Sequence, residues 1–413
     1  MKKILLLFVA IMMVSTGLWA QERKEVSYLY PVYNTEGDPT SGIKEWETEE
    51  IDATELTGSD ARETLSRGWY VVTGSAVMYN KGLICTGDVH LILADGAKLT
   101  VTGDDKNAGI EVSGQGYSLT IYGQDNQLGQ LVATGTSYAA GIGGGAGESG
   151  SNITINGGIV TANGGYFAAG IGGGQCGSAS NITINGGMVT TNGGDNAAGI
   201  GGGVSGSGSN IFIATNLAIK ADNNNPPTTV IINTGADLAS SLAGKQYVKI
   251  EKDLTPIKTT AIDEINKAID GVTDADVLAI ATTAITDINN ATTEDDINSI
   301  KTFALTKINA IAAITAARQG IKNTELNNWI DAAIKEIKIG SQDATPSIDD
   351  IKDQILYMIN LFQNGKAEGK ADLLGSMATE QDGPAVEIIG PDGQTIRLYN
   401  PKKVNFIKVE TEN

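Results

Sequence analysis

Histidine, cysteine and internal charge are what this chain of 413 residues has least of. It holds one histidine, His90, two cysteines, Cys85 and Cys176, and 5% aromatic residues. Two cysteines exclude a disulfide-built scaffold, and a lone histidine excludes a His-rich metal cluster. Cys85 follows Leu83-Ile84 and reads as an apolar strand position, while Cys176 stands where Gly147 and Ser205 stand in neighbouring repeats. A bridge between the two cysteines is the alternative reading. Between residues 126 and 219 the only charged side chains are Glu148 and Asp195, with no lysine, arginine or histidine. Acid–base chemistry on polysaccharides needs paired carboxylates or a base held close to them, and this stretch has no such pair. Its glycine-rich segments open no helix with a lysine, which excludes a phosphate loop.

Positive charge is also scarce, with 29 Lys and Arg against 48 Asp and Glu for a net charge of −19. Such a surface repels nucleic acid and anionic lipid. Long apolar runs are missing as well: the longest, residues 4–14, falls short of the roughly 20 residues a membrane span requires. Preceded by Met1-Lys2-Lys3 and followed by a stretch ending at Ala20, it reads as a secretory signal cut after Ala20. Gln21, not cysteine, comes next, which argues against lipid attachment there. The expectation is an exported chain, extracellular, at the cell surface or periplasmic, with no membrane span after cleavage.

What the chain does have is glycine, 52 residues of it, arranged in a repeat. Gly-Ile-Gly-Gly-Gly begins at Gly141, Gly170 and Gly199, and Asn152-Ile-Thr-Ile-Asn is copied at Asn181, with a third copy opening at Asn210-Ile-Phe-Ile. A fixed period of about 29 residues marks a solenoid. Short β-branched runs closed by Gly, Asp or Asn recur from Gly68 onward. They fall into three sets: Leu91, Leu119, Ile153, Ile182 and Ile211; Leu99, Val132, Val160 and Val189; and Ile110, Ile142, Ile171 and Ile200. Three strands per turn predict a right-handed parallel β-helix in a mainly β chain, with Ile153 and Ile155 facing inward and Thr154 outward. The asparagines repeat in the same register, predicting amide ladders and left-handed corners at Asn-Gly. A metal site on them is disfavoured because calcium prefers carboxylates.

Around this core the expected organisation is a signal peptide at 1–20, an N-terminal cap at 21–66 with a short helix at 59–66, the β-helix at 67–252, a helical bundle region at 253–380 and a C-terminal β-hairpin and tail at 381–413. The bundle shows apolar residues three or four apart, with Thr273, Thr293, Thr324, Ser341 and Ser347 as candidate helix starts. Pro391-Asp-Gly393 predicts the terminal turn.

Candidate chemistry is thin. Asp88, His90, Asp95, Asp104, Asp105 and Lys106 are the one place a polysaccharide lyase or glycoside hydrolase would find its groups, and His90 reads as a solvent-facing strand residue. No catalytic, metal or cofactor residue is assigned. Binding has better support. Tyr138 and Phe167 occupy equivalent places before successive glycine cores, with Tyr166 beside Phe167, and the third repeat puts Asp195 and Asn196 there. Stacked turns would bring these five onto one edge, where rings stack on sugars and amides meet hydroxyls.

Trp69-Tyr-Val-Val72, Asp88-Val-His-Leu-Ile-Leu-Ala-Asp-Gly96, Leu119-Thr-Ile-Tyr-Gly-Gln124 and the Ala-Gly-Ile-Gly-Gly-Gly repeats resemble those of exported, adhesin-like β-helix proteins of gut anaerobes, over about residues 67 to 215. The resemblance implies secretion or surface display and binding of a polysaccharide or host glycan, and it supplies no catalytic residues. The helical region resembles, more weakly, small bundle repeats of bacterial surface proteins, which implies other surface proteins as its partners. A purely structural surface component is the further alternative.

Overall fold

The computed structural model describes residues 23–363 apart from 234, 344 and 345, together with strands at 384–389, 395–399 and 410–412. The signal expected at 1–20, the turn at 390–393 and the strand expected at 404–409 lie outside the described residues. Two compact units divide the chain between Asp253 and Leu254.

The first unit is a stack of parallel strands. Inward isoleucines sit directly on one another: Ile153 pairs with Ile182 and Ile182 with Ile211, while Ile155, Ile184 and Ile213 repeat the pattern two residues on. Alternation along each strand puts these side chains in the core and leaves Thr154 and Thr183 partly exposed. A second stack runs through Leu99, Leu131, Val160 and Val189. Two-residue strands at Ile110, Ile142, Ile171 and Ile200 form the third. The long strand Leu83–Leu93 joins the first and third stacks, since Leu83 pairs with Ile110 and Val89 with Leu119. One continuous core, from Leu56 to Ile250, fills the interior. Stacking matters energetically because each turn buries its apolar stripe against the next turn as well as against itself.

Two register expectations shift. Leu131, not Val132, is the partner of Val160, and Leu131 is buried where Val132 is partly exposed. A one-residue slip would turn the whole strand over, so burial decides between them. Val89, not Leu91, pairs with Leu119, a two-residue shift that keeps the face.

The asparagines form ladders as their spacing predicts. Asn181 donates to Asn152 Oδ1 at 3.0 Å, Asn210 to Asn181 at 3.1 Å, Asn185 to Asn156 at 2.8 Å and Asn192 to Asn163 at 2.7 Å. The left-handed corners fall elsewhere than expected: Asn152, Asn181 and Asn210 adopt φ of 52 to 56°, while Gly158 and Gly187 take the turn after Asn156 and Asn185. Both cysteines are free, Cys85 buried in the core and Cys176 exposed, which removes the bridge. Burial pushes the Cys85 thiol up to about 12. Cys176 has φ of 64°, like Gly147 and Ser205 in its series, so that corner needs a left-handed residue as well as a small one.

The expected helix at 59–66 is absent. Ser59 bridges Tyr79, and Glu63 opens the strand Glu63–Val72, because Leu65 is needed in the core beside Leu56. Upstream, Arg23–Tyr33 and Ile43–Glu55 form an antiparallel hairpin. The end of that hairpin pairs with the coil's first turn, Thr54 with Tyr70, and Tyr28 packs on Trp69 of the same strand. The rest lies along the coil's flank: Gln124 donates to the Ser27 carbonyl at 3.0 Å and Asn185 to the Tyr33 hydroxyl at 2.7 Å. At the other end, Tyr247–Lys252 inserts antiparallel between Met188–Asn192 and Leu217–Asp222, and this ends the parallel stacking of that sheet.

In the second unit, α2 (Thr255–Ala268), α3 (Ala275–Asn290), α4 (Glu294–Ala317), α5 (Thr324–Ile339) and α6 (Ile348–Gln363) follow a short α1 (Ala239–Leu242) of the first unit. Helix α4 packs against the other four. By length and composition alone it meets the requirement for a membrane span, yet Ile297, Ile308, Ile311 and Ile314 are buried in the bundle core. Thr293 caps α4 and Ser347 caps α6; Asp350 closes its box by accepting from the Ser347 N–H, whereas Asp296 accepts from the Thr293 hydroxyl instead. The cap of α3 is Asp274, not Thr273, and that of α5 is Asn323, not Thr324, whereas Ser341 starts no helix. Pro384–Ile389, Thr395–Tyr399 and Glu410–Glu412 pair as an antiparallel sheet.

Candidate functional site

Three tight turns precede the glycine cores, closed by Ala139 N–H on the Thr136 carbonyl (3.0 Å), Ala168 on Gly165 (3.1 Å) and Ala197 on Gly194 (3.1 Å). They stack because Gly165 N–H donates to the Ala139 carbonyl and Gly194 N–H to that of Ala168, each at 2.9 Å. Glycine is required beneath them, since a Cβ on Gly143 would strike the Gly172 carbonyl of the next turn. The motif is thus a scaffold corner whose backbones touch.

On these corners the structure brings the three aromatic candidates together. Tyr166 and Phe167 have ring centroids 4.1 Å apart, and Tyr138 lies 6.3 Å from Tyr166 and 6.4 Å from Phe167, nearly parallel to the latter. Tyr166 is 53% exposed, and Tyr138 and Phe167 are half-buried. Asp195 and Asn196 are exposed on the following turn. Tyr138 and Phe167 are not equivalent in backbone, however. Phe167 takes φ of 66° and Asn196 takes 58°, but in the Tyr138 turn the left-handed residue is Ser137. Asparagine visits that region readily, whereas a bulky aromatic there is an outlier.

Asn196 also lines a cavity of about 560 Å³ at the last glycine core, together with Ser205, Ser207, Asp237 and Ser240. Sequence reasoning missed this neighbourhood because Asp237 and Ser240 come from beyond the repeat. Burial alone would raise the Asp237 pKa, but N–H donors from Ile211, Ala239 and Asn210 hold its carboxyl below the usual range.

The possible catalytic groups do not converge. Asp95 accepts from Asn126 and Leu128 backbone N–H at 3.1 and 2.9 Å, and Asp104 accepts from Asn107 at 2.8 Å. Asp95 ties its loop to that of the next turn, and Asp104 shapes its own loop. Asp88 and His90 do meet, with Nε2 3.3 Å from Asp88 Oδ2, while Nδ1 lies 2.9 Å from the Tyr122 hydroxyl. The Ser118 hydroxyl donates to Asp88 at 2.6 Å, and this bond, with burial opposing it, holds the carboxyl below its ordinary range. His90 keeps the outward face opposite Val89 and Leu91 but is only partly exposed: its ring stacks on Trp69 at 4.2 Å and 15°, and the flank hairpin sets Tyr28 against Trp69 at 4.5 Å. The missed signal is the alternation in Val26-Ser-Tyr-Leu-Tyr30, which places Val26, Tyr28 and Tyr30 on the face toward the coil. Among the described residues no group of three His, Cys, Asp or Glu is placed to hold a metal ion.

A family model described as "Beta helix repeat" matches residues 153–175 and 182–204, two consecutive repeats that carry the Phe167 corner and Asp195 with Asn196. No curated protein and no solved structure matches the chain. Fold and match together establish a mainly β chain whose first unit is a parallel β-helix, followed by a helical region.

Proposed function

We propose that this is a noncatalytic, exported binding protein, secreted or displayed at the cell surface, whose stacked-turn edge takes a polysaccharide or host glycan. The coil, read as right-handed with rungs of about 29 residues, sets successive contact residues one strand spacing apart. The observation that carries the reading is the ring cluster of Tyr138, Tyr166 and Phe167, with Phe167 held left-handed on an exposed edge. Phe167 is half-buried and lies outside the core, so its strained backbone is not explained by core packing, whereas it does hold the ring against exposed Tyr166. Asp195 and Asn196 supply acceptors and a donor for sugar hydroxyls on the next turn.

A glycan array with the full chain tests this. Binding to at least one glycan is expected, and Tyr138→Ala combined with Phe167→Ala should weaken it at least tenfold. Undiminished binding in that double variant sinks the proposal. Product release from a polysaccharide, abolished by Asp95→Ala or His90→Ala, would mark a lyase or hydrolase instead.

A further inference from the structure

A groove of about 590 Å³ lies among α3, α4 and α5 of the helical unit, a volume typical of small-molecule sites. Its apolar wall comes from Ile280 on α3, Ile300 and Phe303 on α4, and Ile339 at the end of α5. Ile339 is 67% exposed at the rim, where a core residue would not be.

Lys307, in the middle of α4, lines the same groove and is only 8% exposed. Its ammonium donates to the Lys338 carbonyl at 3.0 Å and sits 4.5 Å over the Phe303 ring. A helix-end carbonyl and a ring face take up part of a positive charge. They do not complete it: an ammonium has three N–H donors, and among the described residues no carboxylate pairs with this one. Lys338, whose carbonyl Lys307 meets, has its acids already, Asp276 at 2.7 Å and Asp274 at 3.8 Å. Burying a cation without a counterion is costly, and burial pushes the Lys307 pKa below the ordinary lysine value. Lys335 adds a second lysine at the groove. Three lysines, Lys307, Lys335 and Lys338, thus face two aspartates, Asp276 and Asp287, around this apolar groove, a local excess of positive charge in a chain whose net charge is −19.

We propose that this groove binds a linear alkyl carboxylate, with the headgroup on Lys307 Nζ and the chain along Ile280, Ile300, Phe303 and Ile339. One buried ammonium with two unspent donors matches a single negative charge carried on two oxygens. The aliphatic and aromatic walls match an unbranched chain. The inference concerns the helical unit and is independent of glycan binding by the first.

Calorimetric titration of the full chain with decanoate, and with decanol as the neutral counterpart, tests it. Decanoate is expected to bind one per chain, with decanol at least tenfold weaker. Lys307→Met should cost decanoate at least tenfold and leave decanol unchanged. Ile339→Glu, at an exposed rim position where folding is undisturbed, should also weaken decanoate tenfold by like-charge repulsion. Absence of decanoate binding, equal binding of decanol, or full affinity in Ile339→Glu overturns the proposal.

Discussion

Phe167 is where backbone and side chain disagree. An L-residue in the left-handed region costs roughly 1–2 kcal/mol, and glycine avoids that cost while losing about 0.5–1 kcal/mol in chain entropy. Phe167→Gly should therefore be more stable than Phe167→Ala by about 1 kcal/mol, although both remove the ring. At Tyr138, whose backbone is not left-handed, the order should reverse, with alanine the more stable. Urea denaturation of the four variants checks this, and the same order at both positions would refute it. The sequence already singled out Tyr138, Tyr166 and Phe167 as residues that vary beside glycines that do not. Their difference in backbone was not legible, because Ser137 and Phe167 lie one place apart in otherwise matching turns and nothing in their identity marks either as left-handed.

At the scale of elements, the coil is specified by its ladders and finished by its ends. Periodic isoleucines and asparagines made the stacks readable, since each strand's best partner is a copy of itself. Register departs from the repeat only in the early turns, where the repeat is loosest: at Val132 the adjacent Leu131 takes the core place, and at Leu91 the equally buried Val89 lies on the same face. The ends rely on nonrepeating chemistry. Asp222, closing Leu217–Asp222, accepts from Thr228 N–H and Asn224 N–H, each at 2.7 Å, from Thr229 N–H at 3.1 Å and from both threonine hydroxyls. These donors, the Thr228 N–H foremost, lower its pKa to about 2. A carboxyl whose folded pKa lies below its unfolded value, about 3.9, contributes its full stability above that value and loses it as pH falls toward the folded one. Asp222→Asn should melt below the parent protein at pH 7, and the gap should close between about pH 4 and pH 2. A gap that persists unchanged at pH 2 would show that charge plays no part.

Across the whole molecule, each of the two large cores draws on one unit only, Leu56 to Ile250 for the coil and Ala261 to Ile359 for the bundle. Ile155 and Ile308 are buried in them respectively. Putting asparagine at either position combines a cavity with an unsatisfied amide, at about 3–5 kcal/mol. Differential scanning calorimetry should resolve two transitions, with Ile155→Asn lowering one and Ile308→Asn the other. A single transition lowered by both variants would contradict separate cores.

By itself the sequence determined the repeat, the inward and outward faces, the glycine corners, the helical texture after Pro256 and the five residues of the candidate edge. All of these are local and periodic, so each copy restates the signal. Only the tertiary structure decided that the N-terminal segment lies along the flank and packs on Trp69 and Tyr122, that 247–252 slots between two strands of the coil, and that Lys307 is buried beside Phe303. Those features join single, unrepeated segments far apart in the chain. Their partners are chosen by shape and burial in the assembled fold, and no spacing along the sequence records them.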